Sequence, residues 1–394
     1  MLGRRLGGSL ALPIFSHLRL ARGGEASAAN RTWCVNFCNQ SLIYNPESPI
    51  NNRLGEEFMR IGSCAITWLA LLLLQSLPAR ATKLVTYSIY NEVRAGAVEG
   101  DYVIDLNRAY AFYLFNSLKA GPRSSDDLVP ADLLGVLEGG DPTLEALHKT
   151  LNYTRRLLSQ PDELDRLVTA GAVRTLKNVK LLTPLPKPHR ILAIGVNYRK
   201  HAEESGQKIP VAPEVFSKEC LPIGPGEAIR IPKAVKQPDY EVELAFVIGK
   251  PARNVARERA LDYVAGYMVF NDVTARDIQR RGSQWVLGKS VDTFAVAGPY
   301  LVLKDEISDP QKLELKTIVG EEVLQQANTS DMIFSVADIV ADITQFLTLQ
   351  PGTIVTTGTP SGVGSSRKPQ RWLRPGEKIR LEIQGLGTLE NPIE

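Results

Sequence analysis

The pattern of apolar and polar positions divides the chain into three parts. Residues 83–90 alternate and predict a strand. The stretch 94–106, punctuated by Gly96, Gly100 and Asp101, predicts further strands of a small antiparallel unit. Leucines recur at helical spacing from Asp126 to Ala172: Leu133, Leu134, Leu137, then Leu144, Leu147, Leu151, then Leu157, Leu158, Leu164, Leu167. The proline-rich stretch 182–189 marks entry to another domain. From there the pattern is strand-rich, with Gly and Pro turns and short helices. The predicted class is α+β and β-rich, with a small N-terminal domain at 83–180 and a larger one at 186–394.

The first 82 residues read differently. Met1–Gly24 carries Arg4, Arg5, Arg19 and Arg22 without an acidic residue, which reads equally as a mitochondrial presequence or as a disordered or misannotated leader. An uncharged run, 61–79, follows Arg60; its apolar centre is nearer a signal-type segment than the roughly 20 residues of a spanning helix. An internal anchor, a signal-like segment and translated sequence outside the true gene are the three readings, and the last is favoured. Membrane association is expected only if 61–79 is retained.

Composition narrows the function. The chain has 394 residues, 44% hydrophobic and 23% charged, enough to bury a sizeable core. Forty-six basic against 43 acidic residues leave a net charge of +3, which argues against nucleic acid as a partner. Three of four cysteines fall in the first 64 residues, so Cys220 stands alone afterwards and the domain holds no internal disulfide. A mitochondrial or cytoplasmic location follows as the expectation. The histidines (His17, His148, His189, His201) are too scattered for a zinc site.

Candidate chemistry lies in 239–249. As a strand, this segment puts Tyr240, Val242, Leu244, Phe246 and Ile248 on one face and Glu241 and Glu243 on the other. Ala245 and Val247 continue the glutamate face, so that face is partly buried. Two buried carboxylates repel, raising a pKa or demanding a cation. A solvated strand face is the bland alternative. Asp272 ends the apolar strand 267–272, and 275–279 reads as a helical turn carrying Arg276 and Gln279. Lys289 is a candidate cationic partner. Oxygen-only ligands favour Mg²⁺, with Mn²⁺ or Ca²⁺ possible, over zinc. His201 and Glu204 stand at i,i+3 after the strand ending near Gly195, where a carboxylate can orient a histidine base. Taken alone, a surface His–Glu pair is the commoner reading.

Together these pieces resemble the fumarylacetoacetate hydrolase superfamily over 83–393. The resemblance is carried by Gly195–Tyr198, His201 with Glu204, Pro213–Lys218, Gly224–Glu227, Asp239–Leu244, Asn271–Gln279, Gly288–Ser290, Asp292–Phe294, Asn328–Phe334 and Thr357–Gly364, in order. Within it, the chain most resembles the smaller domain-containing members of the mitochondrial oxaloacetate-tautomerase type. The resemblance implies a mixed β-roll and a homodimer. It implies metal ligation by Glu241, Glu243 and Asp272, and a water-activating dyad of His201 and Glu204. Lys289, Arg276, Gln279 and Thr359 match groups that hold a substrate carboxylate or developing enolate. The implied reactions pass through a metal-bound enolate of a small 2-oxo or 1,3-dicarbonyl acid. They are C–C bond hydrolysis of an acylpyruvate or fumarylacetoacetate-like acid or, alternatively, oxaloacetate tautomerisation or decarboxylation. A non-catalytic metal-binding scaffold is a further alternative. There are three departures, of which the first alters a loop near the site, the second is a hairpin change and the third removes a carboxylate contact available to some members. The 217–226 stretch is one residue shorter than in relatives, Val319 replaces an asparagine, and Val196 stands where some members place arginine.

Overall fold

In a computed structural model, residues 34–37, 40–43, 82–119 and 125–394 are described. Cys34–Phe37 and Gln40–Ile43 pair antiparallel in a unit of their own. Residues from Thr82 onward belong to one compact unit. The presequence-like start and the apolar run 61–79 lie outside the described residues. Among the described residues no helix is long and apolar enough to cross a membrane.

Three strands open the unit: β1 (Lys83–Ile89), β2 (Glu92–Glu99) and β3 (Tyr102–Asp105). Asp105 then caps α1 (Leu106–Tyr113), its carboxylate accepting the Arg108 N–H at 2.8 Å. This helix was not expected from the leucine pattern, since its buried face is made by Leu106, Ala109 and Tyr110. The expected leucine-rich helices follow as α2 (Leu133–Glu138), α3 (Gly140–Leu157) and α4 (Pro161–Thr169). Asp132 caps α2, and Pro161 sits in the first turn of α4, where its missing N–H costs nothing. The short strands β4 (Val173–Thr175) and β5 (Lys180–Leu181) return the chain to the sheet.

The remaining strands are β6 (Ile191–Gly195), β7 (Glu214–Lys218), β8 (Pro238–Asp239), β9 (Val242–Ile248), β10 (Val264–Asp272), β11 (Thr274–Ala275) and β12 (Ala295–Leu303). They are followed by β13 (Glu314–Val319), β14 (Glu322–Asn328), β15 (Ile354–Thr356), β16 (Lys378–Ile383) and β17 (Gly387–Pro392). Between them lie α5 (Arg199–Ser205), α6 (Arg276–Gln279), α7 (Val286–Lys289) and α8 (Val336–Phe346).

An eleven-stranded sheet runs in the order β4-β3-β2-β1-β12-β10-β9-β15-β6-β7, with β5 also on β1. The β15–β6 pair is parallel and its neighbours are antiparallel. Leu84 pairs with Leu301, so strands from both expected domains share one sheet. A second sheet has the order β14-β13-β16-β17, and the departure at Val319 falls at the β13–β14 turn.

Both faces of the large sheet are covered. On one, Ala245, Val247, Met268 and Phe270 pack against Leu106, Leu133, Leu137, Leu147 and Leu151 of the helical layer. On the other, Leu244, Phe246 and Val269 pack against Leu315, Ile379 and Leu381 of the second sheet and Ile339 and Ile343 of α8. The fold is therefore α+β and sheet-dominated. The alternation read from 239–249 is reproduced, with the apolar continuation of the glutamate face fully buried.

Candidate active site

Register explains how three acids meet. In the β9–β10 pair Val242 opposes Asn271 and Glu243 opposes Phe270. One step further, the Asp272 N–H donates to the Glu241 carbonyl at 3.0 Å, so Asp272 lies across from Glu241. Side chains alternate along each strand, which puts Glu241, Glu243 and Asp272 on one face at one end of the sheet. One carboxylate oxygen from each lies within 4.8 Å of the others, and all three residues are buried.

Basic groups converge on them. Arg276 Nη2 lies 2.5 Å from Glu241 Oε1, and its Nε donates to Asp239 Oδ2 at 2.8 Å. Lys289 Nζ lies 2.5 Å from Glu241 Oε2 and 2.7 Å from Asp272 Oδ2. Lys289 arrives through α7, which packs tightly on α6. A Cβ on Gly288 would come within 2.6 Å of the Gln279 backbone, so only glycine fits there. Lys218, at the end of the outermost strand β7, donates from Nζ to Asp272 Oδ1 and to the Lys289 carbonyl.

The carboxylates differ in consequence. Burial disfavours charge on Glu241, but Arg276 and Lys289 outweigh it and bring its pKa down to about 2. Burial, with Asp272 and Glu241 beside it, pushes Glu243 well above the usual carboxylate range. Glu243 accepts the Gly358 N–H at 2.9 Å and has no ion-pair partner among the described residues. Burial opposes the charge on Lys289, yet Asp272 and Glu241 hold its pKa above the ordinary lysine value.

These observations test the fit of a metal. Asp239, Glu241, Glu243 and Asp272 face Lys218, Arg276 and Lys289, leaving one surplus negative charge with all groups ionised. An oxygen-only donor set with surplus negative charge suits a hard divalent cation. The buried triad could hold one.

A cavity of about 640 Å³ opens over this floor. Glu241, Glu243, Arg276, Gln279, Lys289, Thr359, His201 and Glu204 line it, while Asp272 lies beneath. The structure thus brings all nine residues singled out in the sequence to one place. His201 and Glu204 sit on α5 with Nδ1 and Oε2 3.6 Å apart, beyond hydrogen-bond distance. His201 Nδ1 has no hydrogen-bond partner, and the Glu204 carboxylate instead accepts the Gly362 N–H at 3.0 Å. The Thr359 hydroxyl donates to the Val242 carbonyl at 3.0 Å and accepts from Gln325 Nε2 at 2.9 Å, so it is anchored to β9.

Three features were missed. Asp239 is fully engaged: Gly364, Ser365 and Tyr240 N–H groups and Arg276 all donate to it. Lys218 stood inside a quoted motif without a role; a lysine two residues from Phe216 on one strand was the available signal. Phe216 and Trp285 form an aromatic wall, their ring centroids 5.3 Å apart at 74°, with Lys289 Nζ 5.2 Å from the Phe216 centroid.

Fold and site define the class: a β-rich α+β enzyme whose cavity floor carries a buried acidic triad. The model of the fumarylacetoacetate hydrolase C-terminal family matches residues 190–394, and the chain belongs to that family. Over 298 residues it is 38% identical to the mitochondrial oxaloacetate tautomerase fahd2 of Xenopus laevis, covering 75% of this chain and 83% of that protein. Over 317 residues it is 37% identical to oxaloacetate tautomerase YisK of Bacillus subtilis, covering 79% and 99%. Among solved structures, fumarylacetoacetate hydrolase of Exiguobacterium antarcticum superposes with a TM-score of 0.59 at 28% identity, covering 79% of this chain and 99% of that one. Membership of an enzyme family sets aside the non-catalytic scaffold.

Proposed function

We propose that this enzyme interconverts the enol and keto forms of oxaloacetate or a close 2-oxo acid, on a divalent ion held by Glu241, Glu243 and Asp272. One observation carries the reading: Lys289 Nζ spans Glu241 and Asp272 beside an otherwise uncompensated Glu243 at the cavity floor. The tautomerase names of two relatives, each covered over more than four-fifths of its length, support it.

The chemistry follows from the donors. A 2-oxo acid presents a carboxylate oxygen and an adjacent carbonyl oxygen as a chelating pair. When bound, the ion supplies Lewis-acid stabilisation of an oxyanion. Lys289 adds positive charge at the same oxygens. Arg276 and Gln279 hold the substrate carboxylate, and Thr359 fixes the wall beside it. In ketonisation the enol O–H breaks, the C=C pair takes a proton at carbon, and C=O forms; no proton is gained or lost overall. His201, lining the cavity, is the group that takes and returns that proton. The test follows the oxaloacetate enol absorbance with purified protein and Mg²⁺. Decay faster than the Mg²⁺ blank, abolished by EDTA, is expected; a rate equal to the blank rejects the reading.

A second reading, C–C hydrolysis of an acylpyruvate, is favoured by the free His201 Nδ1 close to Glu204. There His201 takes a proton from water, hydroxide attacks the remote carbonyl, and the carbon leaving group departs as an enolate. Loss of acylpyruvate absorbance with release of the carboxylic acid would select it. A homodimer and a mitochondrial address complete the proposal, the latter supported by the basic start and the Xenopus relative's description. Sedimentation and cell fractionation test them.

A further inference from the structure

Lys218 contributes a charge that the reaction scheme above leaves unused. Its side chain is wholly buried, and its ammonium has three oxygen partners: Asp272 Oδ1, the Lys289 carbonyl and, at 3.5 Å, the Val273 carbonyl. Lys289 already holds the other Asp272 oxygen, so Asp272 is gripped by a lysine on each side. Lys218 is not among the residues lining the cavity, so it does not reach substrate. Burying an ammonium is expensive, and the interior could have been closed with an apolar side chain.

We propose that Lys218 is a positioning residue that fixes the net charge of the loaded centre, holding ion affinity down so that an anionic substrate meets a positive site. The inference rests on the triad being the seat of the divalent ion. With that ion, Asp239, Glu241, Glu243 and Asp272 against Lys218, Arg276 and Lys289 sum to +1. Without the Lys218 charge the sum is zero. The substrate class that matches +1 is a 2-oxo acid bound through its carboxylate, whose enolate adds a further negative charge. Removing Lys218 has two effects of the same sign on ion binding. It relieves repulsion between two buried like charges, and it leaves Asp272 short of a partner in the ion-free state. Both tighten the ion. The same change weakens the hold on the anionic substrate and the developing enolate.

The opposite signs distinguish this role from a structural one. A lysine that merely packs or aligns Asp272 would, when removed, loosen the ion. The experiment is calorimetric titration of Mn²⁺ or Mg²⁺ into wild type, Lys218→Met, Lys218→Gln and Lys218→Arg, alongside thermal shift with and without the ion. Lys218→Gln keeps a hydrogen-bond donor and guards against misfolding of the methionine variant. Expected for both neutral variants is affinity tighter by at least about tenfold, a larger ion-induced rise in Tm and a raised substrate KM. Lys218→Arg should behave as wild type. Unchanged or weaker ion binding in the folded neutral variants overturns the proposal, as does failure of both to fold with Lys218→Arg also lost. If wild type itself binds no divalent ion, the reading of the triad fails instead.

Discussion

Glu241 and Asp272 face each other across the β9–β10 pair, and the Lys289 ammonium lies between them, 2.5 Å from one and 2.7 Å from the other. Two carboxylates so placed need a cation, and this lysine supplies it from a short helix on a different part of the chain. Replacing Lys289 by Met should cost about 3–5 kcal/mol in EDTA, because Glu241 and Asp272 keep Arg276 and Lys218 but the buried cluster loses a cation and gains an uncompensated negative charge. Saturating Mg²⁺ should recover part of that loss, while kcat falls by about 10²–10³-fold. Urea denaturation with and without the ion checks the first point, and steady-state kinetics the second.

Glu243 carries a pH signature. Its folded pKa lies well above the unfolded value of 4.5, so the ion-free native state keeps a proton that the unfolded chain releases. Stability from this group therefore falls as pH rises above about 4.5 toward the folded pKa. Glu243→Gln removes the penalty. In EDTA the variant should melt higher than wild type, by more at pH 8 than at pH 5, and should lose divalent-ion binding. A gain that shrinks as pH rises would contradict the burial-and-repulsion account.

His201→Ala tests the base that both candidate reactions share. Divalent-ion affinity should be unchanged, since the imidazole is not among the carboxylate ligands. Turnover should fall by about 10²–10⁴-fold if His201 moves the proton. Running oxaloacetate and an acylpyruvate in parallel on wild type and variant shows which reaction the enzyme catalyses and whether that reaction depends on His201.

Gly195 ends β6 against the aromatic wall. A Cβ there would sit 2.8 Å from Trp285 Cζ3 and 3.0 Å from Cη2. Gly195→Ala should push the indole toward the cavity, cost about 1–3 kcal/mol and raise KM more than it lowers kcat. Chemical denaturation and initial-rate kinetics report the two effects.

Much of this site was legible because local rules govern it. Period-two alternation placed Glu241 and Glu243 together, and the apolar Ala245 and Val247 correctly signalled a buried face. Helical spacing brought His201 toward Glu204, though the 3.6 Å separation could not be read from i,i+3 alone. Arg276 and Gln279 were expected on a helical turn, and their guanidinium–amide contact of 3.2 Å follows from it. What escaped depends on distant pairing. Lys218 reaches Asp272 across 54 residues, and Asp239 collects N–H groups from Gly364 and Ser365 more than 120 residues away. Helix α1 escaped because Ala109 and Tyr110, rather than a leucine stripe, form its buried face.

The β1–β12 pairing of Leu84 with Leu301 sets a limit on dissection. The family match begins at 190, yet Ala245, Val247, Met268 and Phe270, on the strands that carry the triad, are covered by helices that precede it. A fragment trimmed to the match would present that apolar surface to water beside an unpaired strand edge, a recipe for self-association. The recognisable unit of ancestry and the unit that can stand alone in solution are thus different lengths of the same chain.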